Sequence, residues 1–464
     1  MASTLLPETR PTCRPVLEAA PSAPPAPQPK PERLVSLDAY RGFIMIAMAS
    51  SGFAFARAVK EFKLTGEVWN FLAFQFEHVA WIGCSFWDLI QPSFMFMVGV
   101  ALPYSYASRK AKGDSERRIF THTAIRAFLL MFLGVFLSSN GAARTHYTFT
   151  NVLSQIGLGY VFVFLLRGRH LVVQLGALAA ILVGYSALFA AYPLPAADYD
   201  WRAVGVRDSG ETLSGWSSHW AKNANAAHRF DVWFLNLFPS QYPDNPALRP
   251  ALGAAAVALA GSPSGQGPFL AAPVLTPNWT QQRGYALGDD GAWQFAFNEG
   301  GYQTLNFVPS MATMLLGLMA GEMLRGRRSR AAKFLILVAA GAACLALGTL
   351  AGEVVPIVKR IWTPSWALYS AGWTLLILAA FYGVIDVVGW KAWALPFVVV
   401  GMNSIAMYCM SQLMRGWVGQ TMKTHLPAAW FAGPYGLIFH TTMILVVFWL
   451  ICLWMYRRRI FLKI

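Results

Sequence analysis

The sequence predicts an all-α, multi-pass membrane protein of about ten transmembrane helices, five on either side of a long extracytoplasmic loop. Three observations carry this prediction. Of 464 residues, 56% are hydrophobic and 13% charged, and the mean hydropathy is +0.44; a soluble domain carries roughly a quarter charged residues. Apolar stretches recur from Gly42 to the C-terminus, each close to the roughly 20 residues that cross a bilayer as a helix. These stretches are continuously apolar rather than alternating, which argues against a β-barrel.

Residues 1–33 stand apart. Nine of the first 31 are proline, with Ala, Ser and Thr between them, so the segment buries too little surface to fold and reads as a disordered cytoplasmic tail. It has no apolar run of signal-peptide type, so the first spanning helix is expected to act as its own insertion signal. Expected spans run at 40–58, 85–107, 119–138, 148–166 and 171–191 in membrane half one (34–191), and at 301–324, 334–352, 364–386, 395–416 and 434–456 in half two (301–464). Residues 192–300 form the extracytoplasmic lid, expected as short helices because so long a loop without structure is unusual. Within it, the apolar part of Ala251–Pro268 is too short to span, and Asn278 heads a formal glycosylation sequon.

The net charge of +15 is concentrated in short connections: "RKAKGDSERR" (Arg109–Arg118), "RGRH" (Arg167–His170), "RGRRSRAAK" (Arg325–Lys333) and "YRRRIFLKI" (Tyr456–Ile464). With the tail inside, all four clusters face the cytoplasm, as the positive-inside rule requires. Their expected partners are anionic membrane lipids rather than nucleic acid, and both termini are predicted cytoplasmic. The five cysteines form no CxxC and no metal-ligand spacing, so they read as packing thiols and no metal is expected. The halves share no convincing internal repeat, which mildly disfavours a transporter built from inverted repeats.

Ionisable residues inside spans are costly and are functional candidates by default. Asp38 and Arg41 in "SLDAYRG" share one face of a first helical turn, as a helix cap with a snorkelling arginine or as part of a site. In "EHVAWIGCSFWDLIQPSFMFMVG" (Glu77–Gly99), His78 lies in an outer loop, as a structural hydrogen bonder or a base. Asp88 lies one turn inside the next span, as half of a buried pair or as support for a polar cavity, with a helix kink expected at Pro92. Asn403 and Ser404 sit within the ninth span, as glue between helices or as cavity lining. Glu322 and Asp386 are expected to pair with nearby basic residues. No P-loop, Rossmann fingerprint, HExxH or GxSxG motif is present.

The pattern filled by His78, Trp81, Gly83, Asp88, Pro92, Phe94 and Gly99 resembles a segment of the heparan-α-glucosaminide N-acetyltransferase family of membrane acyltransferases. "RLVSLDAYRG" (Arg33–Gly42), "NEGGYQTLN" (Asn298–Asn306), "GMNS" (Gly401–Ser404) and the terminal "YRRRIFLKI" are similar to further family blocks, so the resemblance covers most of Arg33–Ile464. It implies transfer of an acetyl group from cytosolic acetyl-CoA to an amino sugar or glycan on the far side of the membrane. His78 aligns with the catalytic histidine, for which a pKa near neutrality would suit a general base. Trp81, Asp88, Asp38, Asn403 and Ser404 would then line or support the site, with Asn403 as one donor to an oxyanion. Arg41, Arg109, Lys110 and Arg325 would meet the CoA phosphates. One departure is plain: where the family often shows an asparagine near the outer end of span one, this chain has Ser50 and Ser51. The short tail, in place of a folded lumenal domain, points to a plasma (inner) membrane protein with a periplasmic acceptor; a homodimer is a possible assembly. The competing readings are a glycan or lipid-linked sugar transporter or flippase without chemistry, and a catalytically silent scaffold.

Overall fold

The computed structural model describes residues 34–142, 144–206, 211–238, 274–275, 283–287 and 293–462. The Pro-rich tail, Cys13, the Ala251–Pro268 stretch and Asn278 lie outside the described residues. Helices α1 (Val35–Ala49), α2 (Phe55–Phe62), α3 (Glu67–Gln75), α4 (Ile90–Ala111), α5 (Glu116–Ser138), α6 (Val152–Leu165) and α7 (Leu171–Ala190) precede the lid. The lid holds α8 (Ala226–Leu235) and strands β1 (Val274–Leu275), β2 (Arg283–Leu287) and β3 (Trp293–Asn298). Then follow α9 (Phe307–Arg325), α10 (Arg330–Gly352), α11 (Pro364–Tyr382), α12 (Leu395–Gly401), α13 (Ser404–Leu413), α14 (Arg415–His425) and α15 (Gly433–Arg457).

The chain is a multi-pass membrane protein. Among the described residues, eight helices are long and apolar enough to cross a bilayer, and nine if α12 and α13, bent by 64° at their junction, count as one span. All ten expected segments fall on helix, but α6 is only 14 residues long and stays outside that set. The first segment also departs from a simple rod. Helix α1 stops at Ala49, and Ser51, Gly52, Phe53 and Ala54 take φ of +47°, +63°, +50° and +59° before α2 begins. Three of those four residues carry a Cβ, so the break is held against a steric preference for right-handed backbone.

Helix association in lipid depends on close packing rather than on water exclusion, and glycines permit it here. A Cβ on Gly99 of α4 would lie 1.9 Å from the Met314 carbonyl of α9. In return, Gly317 and Gly321 of α9, a GxxxG pair, admit the Phe96 and Val100 carbonyls of α4. Gly42 of α1 and Gly401 of α12 make a second such crossing, each beside the other helix's backbone. Half-buried Glu322, expected to pair with a basic residue, instead accepts among the described residues from the Gly168 N–H at 2.7 Å and from Gln174 Nε2 at 2.9 Å.

The lid differs from the expected set of short helices by its three-stranded antiparallel sheet, ordered β1-β2-β3. Beneath it, Trp220 stacks on Phe189 and joins Trp81, Tyr185, Val358 and Ile361 in one buried cluster, which clamps the lid onto α7 and two loops. Buried Lys222 and Glu211 pair at 2.7 Å within the lid, and buried Asp231 of α8 accepts the Thr304 N–H at 2.9 Å just before α9.

Because Gly99 meets backbone rather than a movable side chain, Gly99→Val is expected to destabilise the protein by about 1–3 kcal/mol. Gly416→Val, with open space around it, should be nearly silent. Thermal unfolding of the detergent-solubilised variants checks both.

Candidate active site

The loop from Phe76 to Ser85 ends at a helix start, not inside a helix. A 3-10 turn, Phe86–Leu89, precedes α4, and Ser85 and Asp88 form its capping box. Asp88 thus stands in the first turn rather than one turn inside the span, and Pro92, where a kink is expected, falls in the first turn of α4 just after this 3-10 turn. Asp88 is 1% exposed and its oxygens are fully used. Oδ2 accepts from the Ser85 N–H at 3.1 Å, the Ser85 hydroxyl at 2.9 Å and the Val79 N–H at 3.3 Å. Oδ1 lies 2.7 Å from His78 Nδ1 and 3.3 Å from Lys359 Nζ. Lys359 Nζ is also 2.9 Å from His78 Nδ1.

Lys359 reaches the site from the connection between α10 and α11. That connection is locked to the His78 loop by an Ile82–Val358 β-bridge and by the Gly83 N–H donating to the Ile357 carbonyl at 3.0 Å. Arg360 fastens both loops, donating to the carbonyls of Gly300 at 2.9 Å and Val79 at 3.2 Å. Trp81 serves the same clamp: its indole N–H donates to the Trp220 carbonyl at 3.1 Å, under the lid.

Burial, then the Lys359 ammonium, push the His78 pKa from 6.5 down to about 4, against the opposing pull of Asp88. The ring is therefore neutral at pH 7, and the near-neutral pKa suited to a base is replaced by a lower one because the ring is buried and, second, because a cation stands beside it. Burial and the Asp88 carboxylate push the neighbouring Cys84 thiol up to about 12, which removes it as a nucleophile.

Two cavities meet at His78 and share Ser51 and Trp87. One, of about 400 Å³, runs among the ends of α1, α4, α5, α6 and α13, with Gln91, Asn151, Tyr302, Gln412, Lys359 and Arg415 in its wall. The other, of about 810 Å³, lies along the broken end of α1 and α2, walled by Phe55, Phe76, Arg57, Lys60 and Arg360. Both fall within the size range of small-molecule sites. Ser51, which stands in the segment where the family resemblance puts an asparagine, is thus at their junction.

The other expected site residues are not brought to His78, and none of them lines either cavity. Asn403 sits at the α12–α13 bend and accepts the Leu462 N–H at 3.2 Å, and Ser404 follows it as the first residue of α13. Asp38 accepts from Arg41 at 3.5 Å, with its backbone against Gly401. Arg109 pairs with Asp114 at 3.3 Å and Lys110 with Glu116 at 2.8 Å, while Arg325 donates to the Pro103 carbonyl at 2.9 Å. Arg330 donates to the Asp386 carbonyl at 3.1 Å.

Over 94% of its length, the chain is 25% identical to human "Heparan-alpha-glucosaminide N-acetyltransferase", and over 83% it is 23% identical to the mouse protein of that name. This chain is their distant relative. The alignments take in 60% and 54% of those proteins, so the chain spans a little over half the length of the curated relatives it matches. No protein-family model matches the chain. The likeness to the acetyltransferases extends across nearly the whole chain, well beyond the His78–Gly99 motif.

Lys359, Arg360, Tyr302 and Arg415 escaped the sequence reading. The first two had a signal: "VPIVKRIWTP" (Val355–Pro364) places two cations in a short, otherwise largely apolar connection.

The depressed His78 pKa sets a sign for stability. The folded state favours the neutral ring, so the unfolded chain binds more protons between pH 4 and 6.5. This contribution, on the order of 3 kcal/mol, is full above pH 6.5 and is lost as pH falls through about 4. His78→Gln should flatten the stability profile over that window, as read by denaturation in detergent from pH 4 to 7.5.

Proposed function

We propose that this chain is a transmembrane acyltransferase that moves an acetyl group from cytosolic acetyl-CoA to the amine of an amino sugar or glycan on the extracytoplasmic face. Its expected place is the plasma membrane, spanned about ten times with both termini inside. The observation that carries this reading is the Asp88–His78 pair at the meeting point of two cavities, in a chain related throughout to acetyltransferases.

A neutral imidazole whose Nδ1–H is directed at a carboxylate carries its lone pair on Nε2, the arrangement in which a histidine acts as general base. In the proposed reaction, Nε2 takes a proton from the attacking amine as the nitrogen bonds to the acyl carbon, and Asp88 keeps the ring in the competent tautomer and orientation. Acetyl-CoA, as co-substrate, supplies the acyl group and a thiolate leaving group. The proton passes from His78 to the departing sulfur, so the reaction closes with CoA thiol and amide as products. The smaller cavity suits the donor, since Gln91, Asn151 and Gln412 can meet amides of a pantetheine arm. Ser51 and Tyr302 are hydroxyls in the wall of this cavity that could serve an oxyanion. Arg41, Arg109, Lys110 and Arg325 would exchange their present partners for CoA phosphates.

Purified protein incubated with labelled acetyl-CoA and a panel of amino sugars is expected to transfer label, with His78→Ala slower by about 10²–10⁴-fold and CoA binding retained. Sugar translocation with no label transfer would favour a flippase, and absence of CoA binding would overturn the proposal.

A further inference from the structure

A single nitrogen, His78 Nδ1, faces a carboxylate at 2.7 Å and an ammonium at 2.9 Å. It can donate to Asp88 or accept from Lys359, but not both at once. Protonating the ring forces Nδ1 to carry hydrogen and sets an imidazolium against an ammonium in a site where Lys359 is 3% exposed. Like charges that close disfavour the charged ring, more so where water is excluded.

We propose that Lys359 is a positioning residue of the acyl transfer, held against the Asp88–His78 pair so that the ring rests neutral and returns each proton it takes. This rests on the function proposed above. Among the described residues, the charged groups that act on the ring are Asp88 from the turn ahead of α4, and Lys359 and Arg360 from the α10–α11 connection. Arg360 is committed to the Gly300 and Val79 carbonyls, whereas Lys359 directs its ammonium at the pair itself. The loop that carries Lys359 is rigid. Thr363 ties it through the Val358 N–H at 3.0 Å and the Pro356 carbonyl at 2.8 Å, and the Tyr302 ring lies 5.9 Å from Nζ. A base that discharges readily suits a reaction whose proton must move on to the leaving sulfur within each turnover.

The test uses the full chain in detergent with ¹⁵N-labelled histidine, the His78 ring being identified by its loss in His78→Gln. In the wild type the ring should remain neutral down to at least pH 5. In Lys359→Met its titration midpoint should rise by about one pH unit or more, and the acid limb of kcat/KM should rise by the same amount. Lys359→Arg, which keeps the charge, should restore the low midpoint. Should Lys359→Met fail to fold, Lys359→Gln provides the same comparison. A folded charge-removed variant whose midpoint and acid limb match the wild type would overturn the inference, because a lysine that only fills space leaves both unmoved. Failure of the wild type to bind CoA or transfer label overturns the proposed function instead, while a raised midpoint in the variant would still show Lys359 acting on the ring.

Discussion

The Asp88 carboxylate organises everything around it. A buried charge persists only when its lone pairs are matched by donors, and this one collects them from two segments. Ser85 and Val79 shape the loop, His78 presents its ring, and Lys359 arrives from the far half of the chain. The same carboxylate caps the helix that begins beside it. Removing it would strand an ammonium, release a loop and uncap a membrane helix together.

The remainder of the fold makes that cluster possible. Glycine crossings bring α1, α4, α9 and α12 to backbone contact, and the two cavities at His78 lie where helices end or break. The left-handed run Ser51–Ala54 is such a break. Its non-glycine members cost on the order of 1–2 kcal/mol each, and the larger cavity opens along it. The lid cluster around Trp81 and Trp220 then seats the His78 loop against the α10–α11 connection. The His78 ring is thus set among helices of both halves, at the meeting point of the two cavities.

Much of the site was legible from local rules. Local cost marked Asp88, a carboxylate at the start of a span, while His78 was open between structure and chemistry until the family resemblance singled it out. The same rule marked Asn403, Asp38 and Arg41, which lie away from the two cavities at His78, in helix-end hydrogen bonding and packing. An intramembrane polar residue announces that it needs a partner, not what that partner is for. The lid strands were missed because their pattern is short and lies in a segment of mixed composition.

What the amino-acid sequence determined by itself was the class: apolar runs of spanning length, basic connections between them, and a histidine ten residues before an aspartate. These are one-dimensional properties, set by helix length and local charge. Only the tertiary structure decided that the histidine has an ammonium beside it. His78 and Lys359 are 281 residues apart, and no periodicity links them. Their 2.9 Å contact exists because the loop ahead of α4 pairs with the connection ahead of α11. The tertiary structure likewise decided that Ser51 stands where two cavities meet, because cavities form where packed helices part and that position is a property of the whole bundle.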